Sequence, residues 1–117
     1  MNIEDGDPSV MDLFYYFNSN EKARGKPEGN MGAHFDPGLL TLKAVSHVAG
    51  LDVLDHESGT WLNVESAANP TEDLLIFTGE TLELVTEGEY KACSHRVHSE
   101  GEARVSVVYE MRSHHVC

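Results

Sequence analysis

Two side chains that bind metals well stand two residues apart in the stretch GAHFDPGLLTL, residues 32–42. In extended backbone, alternate side chains leave the same face. His34 and Asp36 therefore emerge together, roughly 6–7 Å apart at their Cα atoms, while Phe35 points the other way. An imidazole and a carboxylate so placed can grip one cation from adjacent coordination positions. The pair alone describes equally well a loop histidine bonded to a neighbouring carboxylate, so a third ligand matters. His95 supplies one. It lies in YKACSHRV (90–97), flanked by apolar and small residues, in a segment that reads as a strand buried on one side. A buried neutral imidazole needs a partner for its second nitrogen, and a metal is one way to supply it. Two histidines and one carboxylate form the facial set that suits Fe(II) and leaves positions open for substrate and oxygen.

A fourth element lies in RVS (104–106), where Arg104 and Ser106 are again two apart. Both project from one face, with Val105 and Val107 expected to pack on the other. A guanidinium beside a hydroxyl is a fork for a carboxylate, joining a charge-assisted contact to a neutral donor.

These groups need a scaffold, and the chain reads as a series of short β-type runs fenced by turn residues. They are DLFYYF (12–17), LLTLKAV (39–45), LDVLD (51–55), WLNV (61–64), LLIFT (74–78), YKACSHRV (90–97) and ARVSVVYEM (103–111). Seven strands with turn signals every 8–12 residues or so point to an all-β sandwich or barrel. HESG (56–59) reads as a hairpin turn in which Gly59 can take a positive φ. GETLELVTEG (79–88) is the one piece with a helical hint, Leu82 and Val85 being three apart. NSNEKARGKPEGN (18–30) is a polar loop by composition, residues 1–10 form an N-terminal lead and 112–117 a tail.

At 117 residues the chain has room for one hydrophobic core. With 20 acidic against 8 basic residues its net charge is −12. Such a surface repels phosphate backbones and anionic lipid, which argues against nucleic-acid and membrane partners. An anionic substrate would then need a local cation of the kind Arg104 offers. No window of apolar residues is long enough for a membrane span, and MNIEDGDPSV lacks the apolar region of a secretory signal, so an intracellular, cytoplasmic location is expected. Cys93 and Cys117 form neither a disulfide framework nor a CxxC zinc pair, and are expected to be reduced thiols.

Taken together, GAHFDPGLLTL, GLDVLDHESGTWLNV, DLLIFTGETLELVTEGEYKACSHRV and ARVSVVYE resemble the catalytic core of the Fe(II)/2-oxoglutarate-dependent oxygenases. The branch most like it contains isopenicillin N synthase and the plant flavonoid and hormone oxygenases. The likeness runs over about residues 12 to 110, with HxD, a distal histidine in a YKxxxHRV context and RxS in the family's order.

The resemblance implies a double-stranded β-helix, or jelly roll, with a cupin-like barrel core and without the family's usual flanking helices. It implies His34, Asp36 and His95 as iron ligands, with Arg104 and Ser106 holding the far carboxylate of 2-oxoglutarate. Tyr16, ahead of Tyr15, matches a tyrosine that touches the co-substrate. The implied reaction is hydroxylation or desaturation of a small organic substrate with O2, releasing succinate and CO2. His98 is set aside as a ligand because it falls in a polar turn; His47, His56, His114 and His115 are expected to be solvated. Cys93 is expected to share the inward face of His95 as packing. TGE stands where GD is usual, putting Glu80 in place of an aspartate. One residue fewer than in many relatives separates His95 from Arg104, and Phe14 replaces an asparagine common in the plant enzymes. Two alternatives remain open: an iron oxidase of the same fold that uses O2 directly, and a truncated, non-catalytic metal- or ligand-binding module. The primary substrate and the oligomeric state are not readable.

Overall fold

The computed structural model describes residues 7–17, 31–98 and 102–113. The expected loop 18–30, most of the expected lead and tail, and His114, His115 and Cys117 lie outside these. The described residues form eight strands in two four-stranded antiparallel sheets. In chain order the strands are β1 (Val10–Tyr16), β2 (Met31–His34), β3 (Leu40–Ala44), β4 (Leu51–Asp55), β5 (Thr60–Asn63), β6 (Leu74–Thr78), β7 (His95–Val97) and β8 (Arg104–Met111). One sheet runs β1-β8-β3-β6 and the other β2-β7-β4-β5. This is the expected jelly-roll core, with one strand more than the sequence suggested. The additional strand is β2, a four-residue piece whose MGAH composition carries no alternation to announce it.

The strand expected over 90–97 is shorter than its composition implies. Only His95–Val97 joins a ladder, and Cys93 precedes it in irregular backbone. The hairpin at 56–59 forms as expected. Gly59 takes φ +72, and the carboxylate of Asp55 accepts from the Glu57 amide and the Ser58 hydroxyl. The helical hint in 79–88 becomes one short helix, α1 (Glu80–Val85).

Strand periodicity gives two faces, and here the polar face is the inner one. On β3 the buried residues are Thr41 and Lys43, whereas Leu40 and Leu42 on the other face are only half-buried. On β8 Arg104 and Ser106 are buried at 1% and 3% exposure, while Val105 and Val107 stand at 49% and 40%. The valines thus do not pack as the sequence suggested. They share an apolar outer face with Met11 and Leu13 of β1 and Leu74 and Ile76 of β6. The register explains the inner face. Tyr16 pairs with Arg104, Phe14 with Ser106, Lys43 with Val108, and Thr41 with both Glu110 and Phe77. Directly opposed residues share a face, so these side chains all turn inward, and Phe14, Tyr16, Lys43, Phe77, Ser106 and Val108 line one cavity from the first sheet.

Candidate metal centre and carboxylate site

The HxD pair sits where β2 ends and the chain turns into β3. His34 closes β2 opposite His95 of β7, a cross-strand pairing that brings the two imidazole centroids to 4.2 Å. Asp36 lies beyond the strand and needs other support, which comes from the turn before α1. The amide of Glu80 donates to the Asp36 carbonyl at 2.8 Å, that of Thr81 to the Gly38 carbonyl at 3.0 Å, and that of Gly79 to the Leu39 carbonyl at 2.9 Å. The Thr81 hydroxyl adds a bond to the Pro37 carbonyl at 2.6 Å. Gly79 and Gly38 pass so closely that a β-carbon on Gly79 would run into the Gly38 carbonyl. The DPG and TGET segments therefore clasp each other through backbone, and the clasp holds Asp36 in place. The replacement of aspartate by Glu80 leaves it intact, because residue 80 contributes its amide and its side chain is exposed.

Each candidate ligand has a partner that orients it. His34 Nδ1 lies 2.8 Å from the Gly32 carbonyl, and His95 Nδ1 lies 3.0 Å from the Cys93 carbonyl. A carbonyl only accepts, so both rings carry a proton on Nδ1, and in the neutral ring Nε2 is left as a lone-pair donor. Both Nε2 atoms face Asp36 Oδ1, at 3.5 Å from His34 and 3.2 Å from His95. Asp36 Oδ2 accepts from the fully buried Thr41 hydroxyl at 2.5 Å, which turns Oδ1 toward the imidazoles. Burial pushes the Asp36 carboxyl up, but the His95 ring when it also carries a proton on Nε2, together with the Thr41 hydroxyl, outweighs that and holds it below its ordinary value.

The three donor atoms lie within 4.8 Å of one another. Ligands about 2.1 Å from an ion and at right angles stand about 3.0 Å apart, so 3.2 and 3.5 Å suit neighbouring positions on one ion. Outer partners that fix the tautomer and aim the carboxylate are the support such a centre needs. Phe77, with its ring 4.7 Å from that of His95, walls one side.

From this corner a cavity extends between the sheets, lined by Tyr16, Lys43 and Ser106 as well as by His34, Asp36 and His95. Arg104 is buried beside Tyr16, its guanidinium carbon 5.4 Å from the ring centre. Burial raises the Tyr16 phenol, Arg104 lowers it, and the net direction is upward, so the hydroxyl stays protonated and able to donate.

The carboxylate fork read from RVS has a feature that the motif did not disclose. Arg104 Nη2 already donates to Glu65 Oε1 at 2.6 Å and Nε to the Val48 carbonyl at 3.1 Å, while Nη1 is buried with no partner among the described residues. Lys43 Nζ donates to the other Glu65 oxygen at 2.8 Å. Neither Lys43 nor Glu65 stood out in the sequence as a site residue. The usable signal for Lys43 was its place two after Thr41 on one face of a β pattern. For Glu65, in a 3-10 turn (Glu65–Ala67), no local signal existed.

His98, set aside as a ligand, is not among the three converging donors. Its side chain is 12% exposed, with Nε2 3.8 Å from Asp52, on the far side of the β4–β7 pairing. His47 and His56 are exposed, as expected. Cys93 is half-buried, and burial together with the Asp36 charge pushes its thiol up to about 11, so it is protonated rather than a ligand.

Comparison with known proteins agrees with this geometry. The family model described as "2OG-Fe(II) oxygenase superfamily" matches residues 8–113. The clavatol oxidase of Penicillium crustosum is 36% identical over 111 residues, covering 92% of this chain and 32% of its own length. A 2-oxoglutarate-Fe(II) type oxidoreductase of Emericella nidulans is 29% identical over 98% of the chain and 33% of its own length. Among solved structures, the dioxygenase for auxin oxidation 1 of Arabidopsis thaliana, in complex with 2-oxoglutarate, superposes with a TM-score of 0.75 at 25% identity. That match covers 92% of this chain and 39% of the other. The chain thus spans about a third of the length of the relatives it matches.

Proposed function

This chain belongs to the 2OG-Fe(II) oxygenase superfamily, and on that footing we propose that it forms the catalytic core of a dioxygenase oxidising a small organic substrate. His34, Asp36 and His95 hold Fe(II), with Thr41 aiming the carboxylate and the Gly32 and Cys93 carbonyls holding both imidazoles in the ligand tautomer. Arg104 offers its unpartnered Nη1 to the far carboxylate of 2-oxoglutarate. Ser106, on the same face, donates its hydroxyl to that carboxylate, and the Tyr16 phenol borders the same space. Together the ion, the 2-oxo acid and O2 supply an oxidant able to take hydrogen from an unactivated carbon, with succinate and CO2 released. The protein orients and shields. Phe14, Phe77, Val97 and Val108 line the cavity with apolar surface that limits water near the reacting groups.

The observation that carries this reading is the convergence of three correctly oriented donor atoms on one point of a cavity that Ser106 also lines. No helix among the described residues is long and apolar enough to cross a membrane. The test measures succinate release with Fe(II) and 2-oxoglutarate in wild type and His34→Ala. Turnover that depends on His34 supports the proposal, and equal turnover in both ends it.

One observation favours a second reading. Glu65 already occupies an edge of Arg104, as it could in an oxidase that uses O2 without a 2-oxo acid. Stoichiometric 2-oxoglutarate consumption separates the two.

A further inference from the structure

Behind the cavity the chain buries three charges in one cluster. Glu65 is fully buried and accepts five hydrogen bonds. Oε1 takes the amides of Gly50 and Leu51 and Arg104 Nη2; Oε2 takes the Ser46 amide and Lys43 Nζ. Lys43 is 3% exposed and Arg104 1%. Gly50 seals the guanidinium from behind, since a β-carbon there would lie 2.6 Å from Arg104 Cδ and Nε. Burial pushes the Glu65 carboxyl up, but the Lys43 bond, the charges of Arg104 and Lys43 and the Ser46 amide draw it down to about 2, so it is ionised at neutral pH.

The sum of these charges decides what the cluster can bind. Arg104 and Glu65 alone would cancel, leaving little attraction for an incoming anion. With Lys43 the cluster holds two cations and one anion, a net charge of +1 at the buried side of the cavity. The unmet bonding capacity is not on Lys43, whose three donors go to Ala44, Ser46 and Glu65, but on Arg104 Nη1. Lys43 supplies the charge and Arg104 supplies the contact.

We propose that Lys43 is a positioning residue for the co-substrate. It neutralises Glu65, so that Arg104 stays clamped in place by that carboxylate yet presents an uncompensated positive charge to a carboxylate entering the cavity. This rests on the reading of Arg104 as the anchor of a 2-oxo dicarboxylic acid. The competing explanation is structural: Glu65 staples the 46–51 segment through three backbone amides, and Lys43 merely completes its bonding.

The Lys43→Met substitution separates the two. Methionine matches the length of the lysine stem. Glu65 keeps Arg104 and its three amides, so the variant is expected to fold. The measurement is calorimetric binding of 2-oxoglutarate to the Mn(II)-loaded full-length protein, beside binding of 2-oxobutyrate, which lacks the far carboxylate. A unit charge within about 7 Å at an effective dielectric of about 20 changes affinity on the order of tenfold to a hundredfold. Lys43→Met should weaken 2-oxoglutarate by that factor and leave 2-oxobutyrate within about twofold of wild type. The double variant Lys43→Met/Glu65→Gln restores the +1 sum and should recover most of the lost affinity if it folds.

Equal losses for both acids, or no loss for either, would overturn the role of Lys43. A folded double variant no better than the single one would do the same. Failure of the underlying reading looks different: wild type itself would bind the two acids equally well, or Arg104→Met would leave 2-oxoglutarate binding unchanged.

Discussion

Removing the Thr41 hydroxyl should loosen the metal centre without disturbing the fold. Thr41→Val replaces one γ-oxygen by a methyl group at a position with no exposure, so packing volume is kept. What is lost is the 2.5 Å bond to Asp36 Oδ2. A hydrogen bond to an ionised acceptor contributes about 1.5–3 kcal/mol, and loss of an outer partner of a metal ligand weakens metal binding by about 10–100-fold. The two ranges agree, since a tenfold change is about 1.4 kcal/mol. The Asp36 side chain keeps 15% of its surface exposed, so water can replace part of the lost bond. That places the expected loss near the lower end, about tenfold. Anaerobic Fe(II) or Mn(II) titration by calorimetry reads it, with thermal unfolding of the metal-free protein as the control. Thr41→Ser keeps the hydroxyl and should bind metal within about twofold of wild type. Unchanged metal affinity in Thr41→Val, or a serine variant as weak as the valine one, would refute the assignment of Thr41 as the residue that aims Asp36.

Three further outcomes follow from the same geometry. Gly79→Ala places a methyl group against the Gly38 carbonyl and within 3.0 Å of the Asp36 carbonyl. It should cost about 2–3 kcal/mol in denaturant unfolding and weaken metal binding in parallel. Glu65 titrates near 2 in the folded protein against an ordinary 4.5, so the folded state binds fewer protons than the unfolded one between those values. Stability from this group is complete above about pH 4.5 and is lost as pH falls through about 2. The difference corresponds to about 3 kcal/mol, and urea unfolding at pH 7 and pH 3 in wild type and Glu65→Gln measures how much of the acid loss is its own. Finally, with its thiol pushed up to about 11, Cys93 should resist alkylation at neutral pH. In a Cys117→Ser background, iodoacetamide should react at least about a hundredfold more slowly than with a free thiol of pKa about 8.5, and denaturant should abolish the difference.

Much of the site was readable because its pieces are local. Spacing by two in His34/Asp36 and in Arg104/Ser106 states a shared face wherever the backbone is extended, and turn residues show where extension stops. The hairpin at Gly59 and the placement of six of the strands to within a few residues came from the same rule. Errors arose where local pattern carries no sign. Alternation in LLTLKAV and RVSVV reveals two faces but not which is inner. The ordinary preference for apolar residues inside points the wrong way when the interior houses charges and the outer face is apolar. The contact between His98 and Asp52 is likewise invisible in local sequence, because Asp52 reaches it across β4 and β7.

The amino-acid order alone thus established the strand-rich class, the three candidate ligands and the cation two residues before a hydroxyl, since each depends on chain geometry over a few residues. Only the tertiary structure decided that Glu65 lies against Arg104 and Lys43, across 39 and 22 residues of sequence, and that the turn at Gly79 clasps the loop of Asp36. Those contacts form when two sheets close on each other, and the register of closure is a property of the whole packed chain.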